Sequence, residues 1–398
     1  MNRSHWLFVT PFYKPAHVYG GPTYSISTLC ETLVKMGSLV TVFTTNANGS
    51  CDLPFPPGVP QDIEGVQVYY FRRDHPGSYF YSKQLTSACY QKIRLSSFDV
   101  VYIASNWGYP FIPSCWASIL NKVPYIISPR ASFKRNTWRG KFIKKITYHL
   151  LAERHLIQKA SLLHYTTKLE ADQSSWLRLR TPKVIIPNPI NIQEFNLLPS
   201  KGIFRNKFKI AIEKRIVLIL GRIDPDKGLD LALQSIKKVL QQIPDVMLVI
   251  AGPEENNYLQ SLKKWADKLD ITNHIVFTGL LGTSQRLEAL MDADLIFSPS
   301  RSENFGMSIV EAMACGIPVI VSNQVGVSDY IDTERAGLVV PLDPEKMADG
   351  IVKMLNDSLL CLEYSQRGKL LVHDRFSDHN IAMKYLQIID RFSNPHNP

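Results

Sequence analysis

Short apolar runs recur along this 398-residue chain, and most are succeeded by a stretch with helical apolar spacing. In the first half such runs occupy residues 7–9, 39–44, 66–71, 100–103, 125–127, 162–165 and 184–186. Residues 23–36 carry Ile26, Leu29, Leu33 and Met36 on one helical stripe, and Gly37 closes it. A short, fully apolar run bounded by polar turns reads as a strand covered on both faces. Strand, helix and strand in succession imply parallel pairing, because a parallel partner is reached only through a crossover. The pattern predicts an α/β chain.

After residue 201 the same rhythm restarts. Strands are expected at 216–220, 247–250, 275–278 and 295–298, and helices at 229–241 and 258–269. Between the two series, 186–201 contains Pro187, Pro189 and Pro199, which resist regular structure. The reading is therefore of two Rossmann-like parallel-sheet domains, 1–187 and 188–375, facing a central cleft that is the natural ligand site. A last helix within 376–392 has Ile381, Tyr385, Leu386, Ile388 and Ile389 and is expected to pack back on the first domain. No internal repeat is visible.

Composition narrows the function classes. Apolar content of 45% and a mean hydropathy of −0.07 fit a soluble globular protein, and no run approaches the ~20 apolar residues of a membrane helix. Residues 6–12 are too short an apolar run for a secretory leader, are broken by Pro11, and read as a first strand. Cys30, Cys51, Cys89, Cys115, Cys315 and Cys361 are scattered with no Cys-x-x-Cys, so neither zinc nor a disulfide framework is expected, and a reducing cytoplasm is. Charge is uneven: residues 1–190 hold 22 Lys and Arg against 9 Asp and Glu, whereas the remainder holds 23 against 26. The densest basic patch, 134–146, interleaves cations with Trp138, Phe142, Ile143 and Ile146. It suits an anionic membrane surface or a plain solvated face; no zinc-finger or RNA-recognition spacing supports a nucleic acid partner. The expected location is the cytoplasm, at the inner face of the membrane.

The richest chemistry lies in 300–319. A strand ends at Ser298, Glu303 and Gly306 follow, and 307–314 reads as a short helix holding Glu311 and stopped by Gly316 and Pro318. Eight helical steps between the two carboxylates would span roughly 12 Å, wider than the about 5–9.5 Å of a glycosidase pair. They are better placed to hold two ends of one elongated ligand, with the helix N-terminus near Phe305, Gly306 and Met307 favouring an anion between them. The bland alternative is a cap and a solvated carboxylate. Upstream, Gly221 permits a tight turn after a strand, and Arg222 and Lys227 can meet a diphosphate there; alone they would be surface charges. Asp224 and Asp226 match an Asp-x-Asp pattern, but they sit between those cations in a turn, and no metal is assigned to them. In the first half, Gly20 and Gly21 precede a helix and allow close backbone approach to a ligand. The Rossmann Gly-x-Gly-x-x-Gly fingerprint is absent here, which argues against a nicotinamide or flavin enzyme.

Together these elements resemble glycosyltransferase family 4, retaining enzymes of the GT-B fold, over nearly the whole chain. Gly221 and Arg222 with Lys227 and Gly228 match the family's diphosphate motif, and Glu303 with Glu311 matches its E-x7-E signature. Gly279 in Phe277-Thr-Gly, the Ala251-Gly-Pro stretch, Asn188 to Asn191, and Gly20 with Gly21 also fit. The resemblance implies that Arg222 and Lys227 stabilise the leaving diphosphate, Glu311 binds the ribose, Glu303 meets the donor sugar, and the backbone from Asn304 through Phe305 and Gly306 to Met307 binds its hydroxyls. It implies that 1–187 is the acceptor-side domain and 188–375 the nucleotide-sugar-binding one, with a nucleotide-sugar donor, a carbohydrate or lipid-linked acceptor in bacterial polysaccharide or glycolipid synthesis, retention of configuration, and no metal or other cofactor. Arg130 stands where many relatives have a histidine, so a histidine's role does not transfer; as a catalytic candidate it can hold a phosphate or an acceptor group. A nucleotide-sugar 2-epimerase and a non-catalytic nucleotide-sugar-binding subunit are the alternatives.

Overall fold

In the computed structural model, which describes residues 3–74, 80–105, 108–138, 142–254 and 257–393, the apolar runs become strands of two separate sheets. The chain divides into one unit of Met1–Pro189 with Asp378–Pro398 and a second of Ile190–Ser377.

The first unit's sheet runs in the order Lys183–Ile185, Leu162–Tyr165, Tyr125–Ser128, Val100–Ala104, His5–Val9, Leu39–Thr45, Val66–Phe71, Pro60–Ile63. Alternate side chains of one strand enter opposite cores, as the pleat requires. Trp6 and Phe8 join Ile26, Leu29 and Leu33 of helix Gly21–Lys35. Leu7 and Val9 join Leu85 and Ile93 of Lys83–Leu95 and Phe111 of Phe111–Leu120. Both faces are therefore dry, which is why these strands read as continuous apolar runs. Ile381, Tyr385 and Ile388 of helix Asp378–Ser393 enter the core beside Trp6; burial of each contributes roughly 1.5–3 kcal/mol and holds the returning helix in this unit.

One strand departs from the parallel plan. Pro60–Ile63 pairs antiparallel with Val66–Phe71. The hairpin turns at Glu64 and Gly65, whose φ values of 54° and 80° are the positive pair that a primed two-residue turn needs.

The second unit's sheet is parallel throughout, in the order Ile275–Gly279, Val246–Ala251, Arg215–Leu220, Leu295–Ser298, Val319–Ser322, Leu338–Val340. Helix Leu229–Leu240 covers one face through Leu229, Leu233 and Ile236, and helix Met307–Cys315 the other through Ile309, Val310 and Met313.

The basic patch of 134–146 is less uniform than its sequence suggests. Lys134 and Trp138 are buried, the indole nitrogen donating to the Ser132 carbonyl at 2.9 Å, and Lys145 donates to the Thr137 carbonyl. Arg139, Gly140 and Lys141 lie outside the described residues. The helix continues as Phe142–Tyr148, a π turn His149–Glu153 and Arg154–Gln158. Its exposed apolar side chains are Phe142, Ile143 at 80%, Leu150 and Leu151 at 82%. The exposed apolar side chains thus extend beyond the patch to residue 151. Among the described residues, no helix is long and apolar enough to cross a membrane.

Candidate functional site

In an open parallel sheet, a crevice forms at the carboxyl ends where strand order reverses. In the second unit that place lies between Arg215–Leu220 and Leu295–Ser298. From the first, the chain adds two strands on one side; with the second, it begins on the other. Gly221, Arg222 and Lys227 leave the first strand, and Glu303 to Met307 leave the second. The fold thus joins motifs that are 76 residues apart.

Lys227 and Glu303 meet there as an ion pair, with the ammonium donating to Oε2 and both side chains mostly shielded. The lysine stem lies over Gly221, where a Cβ would be 3.6 Å from Lys227 Cε. Arg222 is exposed at the same turn. Asp224 Oδ1 accepts from the Asp226 amide at 2.8 Å and caps the short turn Pro225–Lys227, so this carboxylate serves the backbone. Among the described residues, no group of three or more His, Cys, Asp or Glu is placed to hold a metal ion.

Backbone contact makes the loops close-fitting. A Cβ at Gly228 would overlap the Pro299 carbonyl, one at Gly252 the Gly221 carbonyl, and one at Gly326 the Asn304 carbonyl. Glu303 and Phe305 are laced to 324–327 by Glu303 N to Gln324 O at 3.2 Å, Gly326 N to Glu303 O at 3.1 Å and Val327 N to Phe305 O at 3.0 Å. Gly306 then turns with φ 101° and no side chain caps the helix that begins at Met307. Ser308 Oγ donates to the Leu220 carbonyl at 3.1 Å and ties that helix start to the end of the neighbouring strand. An uncapped helix start beside two cations is a place for an anion. Gly279 lies at the end of the edge strand, and its carbonyl accepts from the Gly252 amide at 2.9 Å.

Glu311 is buried on helix Met307–Cys315, with Arg286 Nε 3.2 Å from its Oε2. Burial raises its pKa; the Arg286 charge opposes this and Glu194 adds to it. The estimate of eight helical steps between Glu303 and Glu311 is corrected here. Residues 303–306 lie outside the helix, so a rise per helical residue does not measure the separation of the two carboxylates.

Three participants were not anticipated. Arg286 comes from helix Thr283–Asp292, and its spacing from Glu311 carries no local signal. Arg301 grips Asp230 with two bonds of 2.6 Å and, through its own amide, the Asp226 carbonyl at 2.7 Å. Burial of Asp230 opposes its charge, but Arg301 outweighs it and the pKa falls below the usual carboxylate value. In sequence Asp230 reads only as a helix-start acid.

Gly20, Gly21 and Arg130 form a separate group in the first unit. Gly20, with φ 69°, leads into helix Gly21–Lys35 on the loop after His5–Val9, at that sheet's own reversal point. Arg130 donates from Nη1 to Ser25 Oγ at 3.1 Å and Asn188 Oδ1 at 2.5 Å, and from Nη2 to the Tyr102 hydroxyl at 3.3 Å. Three of the five N–H groups a guanidinium owns thus bond within the unit. Arg130 and Ala131 have φ of 49° and 71°, a strained pair for non-glycine residues. Buried Glu170 holds them by accepting from the Ala131 amide at 2.6 Å and the Thr166 amide at 2.8 Å. Behind Arg130, His164 Nε2 donates to the Ile186 carbonyl at 2.7 Å and Nδ1 accepts from Tyr102 at 2.8 Å. Burial, then repulsion from Arg130, pushes the His164 pKa down to about 3.

The sequence matches the family described as glycosyl transferases group 1 over residues 200–371, and a glycosyl transferase 4-like domain over residues 20–189. An uncharacterized glycosyltransferase of Methanocaldococcus jannaschii is 26% identical over 94% of this chain and 95% of its own. A phosphatidyl-myo-inositol mannosyltransferase of Mycobacterium tuberculosis is 28% identical over 53% of this chain, which spans about half (55%) of that relative. Among solved structures, Anabaena HepE in complex with UDP and glucose is similar with a TM-score of 0.77 at 16% identity, covering 98% of this chain and 100% of that one.

Proposed function

Because the chain belongs to the group 1 glycosyltransferases and has their GT-B fold, we propose that it moves a sugar from a nucleotide diphosphate donor to a hydroxyl acceptor with retention of configuration, in polysaccharide or glycolipid synthesis. The observation that carries this reading is the Lys227–Glu303 pair set over Gly221 beside the uncapped start of helix Met307–Cys315.

In this reading the incoming diphosphate takes Lys227 from Glu303, with Arg222 as its second cation. Glu303 is then released toward the donor sugar. The backbone from Asn304 to Met307 meets sugar hydroxyls, and buried Glu311 accepts from the ribose hydroxyls. As the bond between the sugar's anomeric carbon and the diphosphate breaks, negative charge grows on the leaving oxygen, and fixed cations lower that barrier most. The acceptor hydroxyl attacks from the same face, and its proton passes to the departing phosphate oxygen. Arg222, Lys227 and the helix start supply the neutralising charge, so we place no metal in the reaction. The bonds of Arg130 favour positioning the Gly20–Gly21 loop through Ser25 over direct contact with phosphate.

The acceptor side meets an anionic membrane through the exposed Phe142, Ile143, Leu150 and Leu151 with Lys144 beside them. The similarity to a phosphatidyl-myo-inositol mannosyltransferase supports a membrane-borne acceptor. Sedimentation with anionic vesicles should fall on Ile143→Ser with Leu151→Ser; unchanged sedimentation would remove this surface as the anchor. For the donor site, UDP-, GDP- and ADP-sugars are screened by thermal shift and hydrolysis in EDTA. One of them should raise the melting temperature by mass action and be turned over. No turnover of any donor, or turnover unchanged in Lys227→Ala, would overturn the assignment.

A further inference from the structure

The loops that carry Lys227 and Glu303 are joined by a guanidinium that belongs to neither motif. Lys227 ends the short turn Pro225–Lys227. That turn is closed by Lys227 N to Asp224 O at 3.0 Å, Gly228 N to Pro225 O at 3.1 Å and the Asp224 side-chain cap. All of these bonds are local. They set the shape of the turn, but not where it points relative to the loop of Glu303.

Arg301, two residues before Glu303, supplies the missing link. Its amide donates to the Asp226 carbonyl at 2.7 Å, and the Ser302 amide reaches the same oxygen at 3.3 Å. Its Nη1 donates to the Pro225 carbonyl at 3.2 Å and to Asp230 Oδ1 at 2.6 Å, and its Nη2 to Asp230 Oδ2 at 2.6 Å. Asp230 stands in the first turn of helix Leu229–Leu240. One side chain therefore grips the backbone before Lys227 and the helix after it. The base of the grip is fixed, because the carbonyl of buried Ser300 accepts from the Ser322 hydroxyl at 2.5 Å. This bonding needs an arginine. A planar fork meets both carboxylate oxygens and a carbonyl at once, whereas an ammonium is a compact point charge with no such fixed angle.

We infer that Arg301, with Asp230, is a positioning residue that fixes Lys227 against the Glu303 loop, so that the ammonium meets the terminal phosphate of a nucleoside diphosphate. In this role Arg301 acts through Lys227 and not on the ligand. The inference rests on the reading of the chain as a nucleotide-sugar transferase. In that reading Glu303 faces the donor sugar, so its partner Lys227 lies at the phosphate next to the sugar.

Calorimetric titration of the full chain with UDP, GDP and ADP and with the matching monophosphates tests it, in wild type, Arg301→Lys and Asp230→Asn. The wild-type preference for diphosphate over monophosphate should fall about tenfold in each variant, while the monophosphate, which lacks the phosphate next to Glu303, binds within about twofold of wild type. With the matching sugar donor, kcat/KM should fall roughly ten- to a hundredfold, the cost of a misplaced charge. In a Lys227→Ala background, Arg301→Lys should change either quantity by less than about twofold, because the group it positions is gone. A diphosphate preference that survives both variants overturns the inference. So does an equal loss of mono- and diphosphate binding, which a merely structural role would give, or effects of Lys227→Ala and Arg301→Lys that multiply. If the wild type binds no nucleoside diphosphate, the donor reading falls and this inference with it; wild-type preference with unmoved variants removes the role of Arg301 alone.

Discussion

The two units share a parallel-sheet plan but furnish their reversal points differently. In the second, Lys227 pairs with Glu303 across two loops, and Arg222 is exposed at the same turn. In the first, Arg130 is wired to Ser25, Asn188 and Tyr102, with neutral His164 and Tyr385 behind it. An arriving phosphate at Lys227 competes with a partly shielded ion pair, whereas at Arg130 it would have to undo a network of three hydrogen bonds among buried groups. A cation's role follows from what it must give up, and residue type alone does not declare it.

The sharpest way to break this contrast is at the cations of the second unit. Lys227→Ala and Arg222→Ala should each lower kcat/KM for the donor about a hundredfold or more, a few kcal/mol of transition-state stabilisation, with little change in melting temperature. Normal kinetics with an early melt would exchange the roles of the two regions. Arg130→Ala should do the reverse: removing it strands Tyr102 and Asn188 and should cost about 2–4 kcal/mol of stability by denaturant titration. A full loss of turnover in a variant of unchanged stability would show that Arg130 touches the reacting groups.

Acid sharpens the same comparison. His164 titrates at about 3 when folded and near 6.5 when free, so between those values the unfolded chain binds the extra proton. Stability is therefore intact above pH 6.5 and drains as pH falls through that window, by an amount on the order of a few kcal/mol. His164→Asn should flatten that part of the pH–stability curve; an unaltered slope would remove His164 as its source. The smallest effect is expected at Glu311. Its raised pKa means that its ionisation, as pH rises through the folded value, works against folding. Glu311→Gln should therefore keep or slightly raise the unfolding free energy of the ligand-free protein at pH 7, by about 1 kcal/mol or less, while weakening donor binding. A drop in stability would mean that the Arg286 pair outweighs burial.

Much of the fold was legible. Trp6 to Val9, Val100 to Ile103 and Ile216 to Leu220 read as strands because both of their faces are apolar, and the helix stops at Gly37 and Gly316 follow from a left-handed turn that glycine takes at low cost. The antiparallel edge Pro60–Ile63 was not read, since it is short and polar; only Glu64-Gly65 hints at its turn. At the site, Gly221, Lys227, Glu303 and Glu311 stood out as motifs, while Arg286 and Asp230 with Arg301 did not. The exposed face at Leu150 and Leu151 was likewise obscured, because a π turn at His149–Glu153 changes which residues share a side.

From the sequence by itself came the periods of the elements, the glycines that let loops close, and the residues able to meet a diphosphate. These are properties of neighbours along the chain, and a strand or helix period repeats within a few residues. The tertiary structure alone decided which charges meet: Lys227 with Glu303, Arg301 with Asp230, Arg286 with Glu311, and Arg130 with Ser25 and Asn188. Those pairings depend on strand order and on how helices pack over the sheet, so groups far apart in sequence become neighbours only when the cores close.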